Sequence, residues 1–115
     1  MRRPSARGCA GALLLAGALL SLRAGAAEPL NIAVTIKDHR FTPSEIHVPA
    51  GTPVILTIRN EDPTAEEFDS TALKIEKVIA GGTYGTVHLR PLGPGRYPFM
   101  GEFHSETAQG VVISE

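Results

Sequence analysis

Hydrophobic residues recur at every second position over most of the chain. Leu30, Ile32, Val34 and Ile36 alternate with polar or small residues, which predicts a half-buried strand. Ile46 and Val48 share the next face. Pro49-Ala50-Gly51 turns the chain, and Val54, Leu56 and Ile58 form another apolar face. Asn60 to Glu67 carries Asn, Asp and Pro and reads as a loop, after which Phe68 re-enters the core. Leu73 to Ile79 reads as irregular chain followed by a short strand. Tyr84 to Leu89, Arg96 to Met100 and Gly110 to Ser114 are further strands, with Tyr84, Tyr97 and Phe99 expected inside. Seven or eight short strands with no long helix predict an all-β, antiparallel β-sandwich with Greek-key connections.

The first residues follow a different pattern. Arg2, Arg3 and Arg7 precede a nearly unbroken apolar run from Cys9 to Leu22, and Ala24-Gly25-Ala26 resembles a cleavage site. Residues 1–27 therefore read as a secretory signal peptide, leaving a single domain at 28–115 and no membrane insertion after cleavage. The sole cysteine, Cys9, goes with the signal. The domain is thus expected to have no intramolecular disulfide, although the signal predicts export. Four of the eleven basic residues lie before Glu28, so seven face twelve acidic ones. The resulting charge of about −5 argues against nucleic acid as a partner.

The segment Tyr97–Gly110, "YPFMGEFHSETAQG", carries candidate chemistry. It follows "PLGPGR", and "FTPSEIHVPAGTPVILTIRN" stands upstream. Together these stretches resemble the cupredoxins. In that family a loop of the form Cys-x2-His-x2-Met-x2-Gly holds copper. Here Gly101 stands at the thiolate position, His104 keeps the histidine, Thr107 replaces the methionine and Gly110 keeps the glycine. The upstream ligand histidine, separated from an Asn by five residues, falls on Glu66 after Asn60. A blue type 1 copper centre needs two histidines and a cysteine, and the domain contains no cysteine.

The replacements are carboxylates: Glu66, Glu67 and Asp69 in one segment, Glu102 and Glu106 beside His104 in the other. Hard oxygen donors with one imidazole suit iron, manganese or non-blue copper. Glu66 and Glu67 diverge on an extended chain, so one of them leads. The register favours Glu66. A narrower likeness favours Glu67: "EEFDSTALKIEKVIAGG" with "GEFHSETAQG" is similar to the EfeO-type cupredoxin-like family, most of all to its FtrB-type periplasmic members. With Glu67 chosen, Asp69 shares its face, and Glu102 shares a face with His104 if that segment is extended.

The resemblance implies an accessory of ferrous iron uptake. It would bind iron or copper and work beside a periplasmic iron-binding protein and an inner-membrane iron permease. A periplasmic copper-binding protein and a metal-free module that docks a permease are the alternatives. His39, His47 and His88 are assigned to turn or surface. Met100 is assigned to packing.

Overall fold

The computed structural model describes residues 28–115, so the expected signal peptide and Cys9 lie outside the described residues. Nine strands form two sheets: β1 (Leu30–Lys37), β2 (Arg40–Thr42), β3 (Glu45–Val48), β4 (Val54–Asn60), β5 (Glu66–Ser70), β6 (Ile75–Ile79), β7 (Tyr84–Leu89), β8 (Gly95–Gly101) and β9 (Gln109–Ser114). One sheet has the order β2-β1-β4-β7, the other β3-β9-β8-β5-β6. No helix among the described residues is long and apolar enough to cross a membrane.

The sandwich is the expected one, with two differences. The sheets are mixed, because β1 pairs parallel with β4 and β3 parallel with β9. Alternation gives the buried face of a strand but not the direction of its neighbour, so parallel pairs could not be read from it. The additional strand, β2, has three residues and lies between the first two predicted apolar runs.

The core is built from the predicted faces. Val34, Ile36, Leu56, Ile58 and Val87 of the first sheet meet Ile46, Phe68, Phe99 and Val112 of the second, all nearly inaccessible. Phe41, Phe68 and Phe99 pack as an aromatic cluster. Phe41 meets Phe99 edge-on with centroids 4.9 Å apart, and Phe68 stacks on Phe99 at 4.7 Å. Gly110 is required there, since a Cβ would come within 2.3 Å of the Phe99 ring. Tyr84 corrects the sequence reading: it is 66% exposed. Tyr84 starts β7 on the outward face, where an aromatic residue fits a pleated surface without entering the core. Tyr97 is half-buried, and its hydroxyl donates to the Gly93 carbonyl.

Asn60 ends β4 fully buried. Its amide donates to the carbonyls of Thr64 and Ile79, and its oxygen accepts the Asp62 N–H. These three bonds fix the β4–β5 loop and set the register with which Glu66 enters β5.

Candidate functional site

Glu66, Phe68 and Ser70 face the core from β5, while Glu67 and Asp69 face outward. Strand periodicity puts adjacent carboxylates on opposite sides of the sheet. Glu66 is only 1% exposed. A buried carboxylate needs partners, and Glu66 has three. One oxygen accepts the backbone N–H groups of Glu67 (3.0 Å) and Phe103 (2.9 Å). The other lies 2.6 Å from His104 Nδ1. With Nδ1 engaged by Glu66, Nε2 is the ring nitrogen left free among the described residues. Glu66, rather than Glu67, is therefore the carboxylate that meets His104.

Gly101 makes this possible. A Cβ at 101 would lie 2.6 Å from the Glu66 carboxyl carbon and 2.7 Å from the Ala108 Cβ. The carboxylate of Glu66 thus fills the space into which a cysteine side chain at 101 would project. A blue copper centre does not fit: the thiolate is missing and its place is taken.

After Gly101 the chain enters a short 3-10 turn, Glu102–His104, closed by Thr107 and Ala108 N–H bonds to the His104 carbonyl. The extended geometry that would align Glu102 with His104 is not formed. The Glu66 bond to the Phe103 N–H pulls this segment into a turn. Glu102 and Glu106 are exposed on the loop. Together with His104, Phe103, Ser105, Thr107 and His39 they line a cavity of about 370 Å³.

Sequence reasoning missed His39. Its ring stacks on that of His104, with centroids 3.5 Å apart and planes 11° off parallel. Asp38 and His39 occupy left-handed backbone conformations, at φ 52° and 59°. Asp62 stabilises this turn by accepting both backbone N–H groups, at 2.8 and 2.9 Å. Burial pushes the Asp62 carboxyl up, but the N–H bonds from His39 and Asp38 outweigh it and hold the group below its ordinary value. The Thr107 hydroxyl donates to the His39 carbonyl at 2.7 Å, joining this turn to the loop. The one available signal was "DH" at a hairpin position, since such residues tolerate left-handed geometry.

The outward carboxylates form a separate group. Desolvation raises the Glu67 carboxyl above its ordinary value, and the charges of Glu76, Asp69, Glu102 and Glu66 add to the effect. In this arrangement Glu67 and Asp69 line the sheet surface and do not line the His104 cavity. Among the described residues, no three His, Cys, Asp or Glu side chains are already gathered as a metal-holding group.

A family model described as a cupredoxin-like domain matches residues 10–114. An uncharacterized protein of Rickettsia prowazekii (strain Madrid E) is 44% identical over 84 residues, covering 73% of this chain and 67% of its own. Among solved structures, the metal-binding domain of the Streptococcus pneumoniae D39 Cu(I)-exporting P-type ATPase CopA superposes with a TM-score of 0.66 at 17% identity. That match covers 74% of this chain and 84% of the other. Auracyanin A, a blue copper protein of Chloroflexus aurantiacus, gives 0.65 at 15% identity, with 76% and 100% covered. At these identities the structural matches speak for the fold.

Proposed function

The chain belongs to the cupredoxin-like domain family, and from that premise we propose that it is a periplasmic accessory of ferrous iron uptake of the EfeO/FtrB type. It takes a metal ion as cargo at the His104 loop and passes it to an iron-binding protein or permease. The observation that carries this reading is the buried Glu66 carboxylate set 2.6 Å from His104 Nδ1. A carboxylate on one ring nitrogen fixes the imidazole's tautomer and orientation and raises the basicity of the other nitrogen. His104 Nε2 is thereby prepared as a donor on the wall of the cavity. Glu102 and Glu106, on the same wall, supply hard anionic oxygens. Few donors and open positions give weak, exchangeable binding, which suits a protein that hands an ion on. Oxygen donors favour the higher charge, so the same site eases transfer of one electron from bound Fe2+ to an external one-electron acceptor, without being an autonomous oxidase. Copper is the competing cargo, because Cu2+ outranks other divalent ions at nitrogen and oxygen donors.

A second reading rests on its own observation. Every Glu66 bond is made to a protein group, so the fold itself satisfies this carboxylate. That suits a metal-free module that docks a permease. Replacement Glu66→Gln separates the two. Glutamine keeps the size, still accepts the two N–H bonds and donates to an unprotonated Nδ1. In a strain lacking the protein, the folded variant should fail to restore ferrous iron uptake if the site handles metal. Full rescue by a variant that binds Fe2+ more weakly would establish the docking module instead.

A further inference from the structure

We propose that the cleft between β5 and β8, with the strand face beside it, is a docking surface for a partner protein that presents an apolar side chain flanked by lysine or arginine. The inference rests on the hand-over reading of the His104 loop for its purpose, and names the surface and the chemistry of the partner.

The cleft follows from the pairing. β5 and β8 share only two rungs, Phe68 with Gly101 and Asp69 with Met100. Beyond them β5 ends at Ser70, and the chain turns, with the Lys74 N–H donating to the Thr71 carbonyl. On β8, Pro98 has no N–H to offer a further rung. The Ser70 hydroxyl spans the gap instead and donates to the Pro98 carbonyl at 2.7 Å. What stays open is a cavity of about 390 Å³, lined by Ala72, Pro98, Phe99 and Met100 together with Asp69. Its walls are largely apolar, and Met100 is 37% exposed on the outer face of the sheet.

The neighbouring face supplies the charge. The register puts Glu76 beside Asp69 and Val78 beside Glu67, and Val78 is 54% exposed. Exposed apolar side chains thus alternate with carboxylates over β6, β5 and β8. Like charges side by side on a sheet are destabilising. Cations exist in the chain but lie elsewhere: Lys37, Arg40 and Arg59 occupy exposed positions of the other sheet. Lys74 lines a neighbouring cavity with Asp69 and Glu76. It pairs with neither, since every ion pair among the described residues involves a histidine.

Spacing decides what such a face can take. Successive outward side chains on a strand stand roughly 6.5 Å apart, and cross-strand neighbours about 5 Å. They do not converge on one cation at bonds of about 2.3–2.6 Å, and no three metal-ligating side chains are gathered among the described residues. The arrangement matches separate ammonium or guanidinium groups spread over a surface, with an apolar side chain entering the cleft. A two-fold dimer through this face would set its carboxylates against one another. Glu102 makes the face continuous with the loop: it lines the His104 cavity, and its charge acts on Glu67. A partner seated on β5 and β8 therefore lies against the loop from which it would receive the ion.

The test is a nuclear magnetic resonance titration of the metal-free, 15N-labelled protein with the synthetic peptide Lys-Arg-Leu-Arg-Lys. Amide signals of Glu67, Asp69, Glu76, Val78 and Met100 should shift, while those of Glu45 and Glu115 should not. The double variant Asp69→Lys with Glu76→Lys, its fold checked by the same spectrum, should bind roughly tenfold more weakly. Met100→Ser, or the peptide Lys-Arg-Ser-Arg-Lys on wild type, should weaken binding about fivefold. Shifts spread evenly over all exposed carboxylates, or wild-type affinity in the double variant, would overturn the proposal. So would displacement of the peptide by equimolar Ca2+, which would mark an ion site. Movement of the same amides with protein concentration alone would mark a contact between copies and overturn it too. In cells, the double variant should keep Fe2+ affinity and fail to restore iron uptake; full restoration would overturn the docking role and leave the loop reading standing. Peptide binding by wild type that binds no Fe2+ would sink the loop reading and leave the docking face standing.

Discussion

The protein sets histidine against carboxylate in two places, and the two behave differently. At the loop, His104 meets a Glu66 side chain that is 1% exposed, at 2.6 Å, with its own side chain 25% exposed. On β3, His47 lies between Glu45 and Glu115, each at 3.1 Å, in a group where every side chain is more than half exposed. The second grouping has more charge, but water competes for every partner. Exposed pairs of that kind contribute little. The first sets a single carboxylate on its histidine, but that carboxylate is shut away from water. Loss of one partner leaves the other groups buried and unsatisfied. A buried carboxylate is a commitment of the fold, and the contrast supports the proposed role of the loop over one for the richer surface cluster.

The largest effect that would break this contrast comes from Glu66→Ala. It orphans two N–H groups and the His104 Nδ1, and should destabilise by about 3 kcal/mol in urea unfolding. Removal of the matching surface acceptor, Glu45→Ala, should change stability little. Equal losses would mean that burial does not distinguish the two groupings. Gly101→Ala sharpens the point. Its new Cβ overlaps the Glu66 carboxylate, so it should cost roughly 1–3 kcal/mol alone. It should cost less in the Glu66→Ala background, where the Ala108 Cβ at 2.7 Å still crowds the new Cβ but the carboxylate is gone.

A smaller effect is expected from Asp62→Ala, about 1–2 kcal/mol, since two N–H groups of the left-handed turn lose their acceptor. The folded Asp62 carboxyl is held below its unfolded value. Its contribution is therefore present above the unfolded pKa of about 3.8 and is lost as pH falls through the lower folded value. Thermal melting of wild type and variant should converge in acid.

The smallest effect concerns His47. Hydrogen bonds that its protonated ring donates, first to Glu115 and then to Glu45, raise its pKa above 6.5. A raised histidine contributes stability below its unfolded pKa and loses it as pH rises through the folded value. The melting temperature of His47→Gln should lie slightly below that of wild type at pH 5.5 and match it at pH 8.5. A gap that grew with pH would contradict the assignment.

The contrast between the two groupings also marks what the sequence made legible. Alternation identified the inner face of nearly every strand, including Phe68 and Phe99, because burial on one face imposes a period of two. It did not tell parallel from antiparallel neighbours, and β2 was too short to register. At the site, the spacing from Asn60 pointed to Glu66, and the pleat confirms that Glu66 faces inward. The family-like "EEFDS" stretch drew attention to Glu67 instead, which is outward. His39 was invisible for a different reason. It lies 65 positions from His104, and only the turn held by Asp62 and Thr107 brings the rings together. No local pattern encodes a contact that three loops create jointly.

The central claim is that the Glu66–His104 pair, and not the exposed histidine cluster, handles metal. Anaerobic calorimetric titration of the purified protein with Fe2+ tests it most directly, with Glu66→Gln, His104→Ala and His47→Ala measured alongside wild type. Glu66→Gln should bind roughly 10- to 100-fold more weakly, His104→Ala should lose binding, and His47→Ala should match wild type. Wild-type affinity in both loop variants would contradict the account.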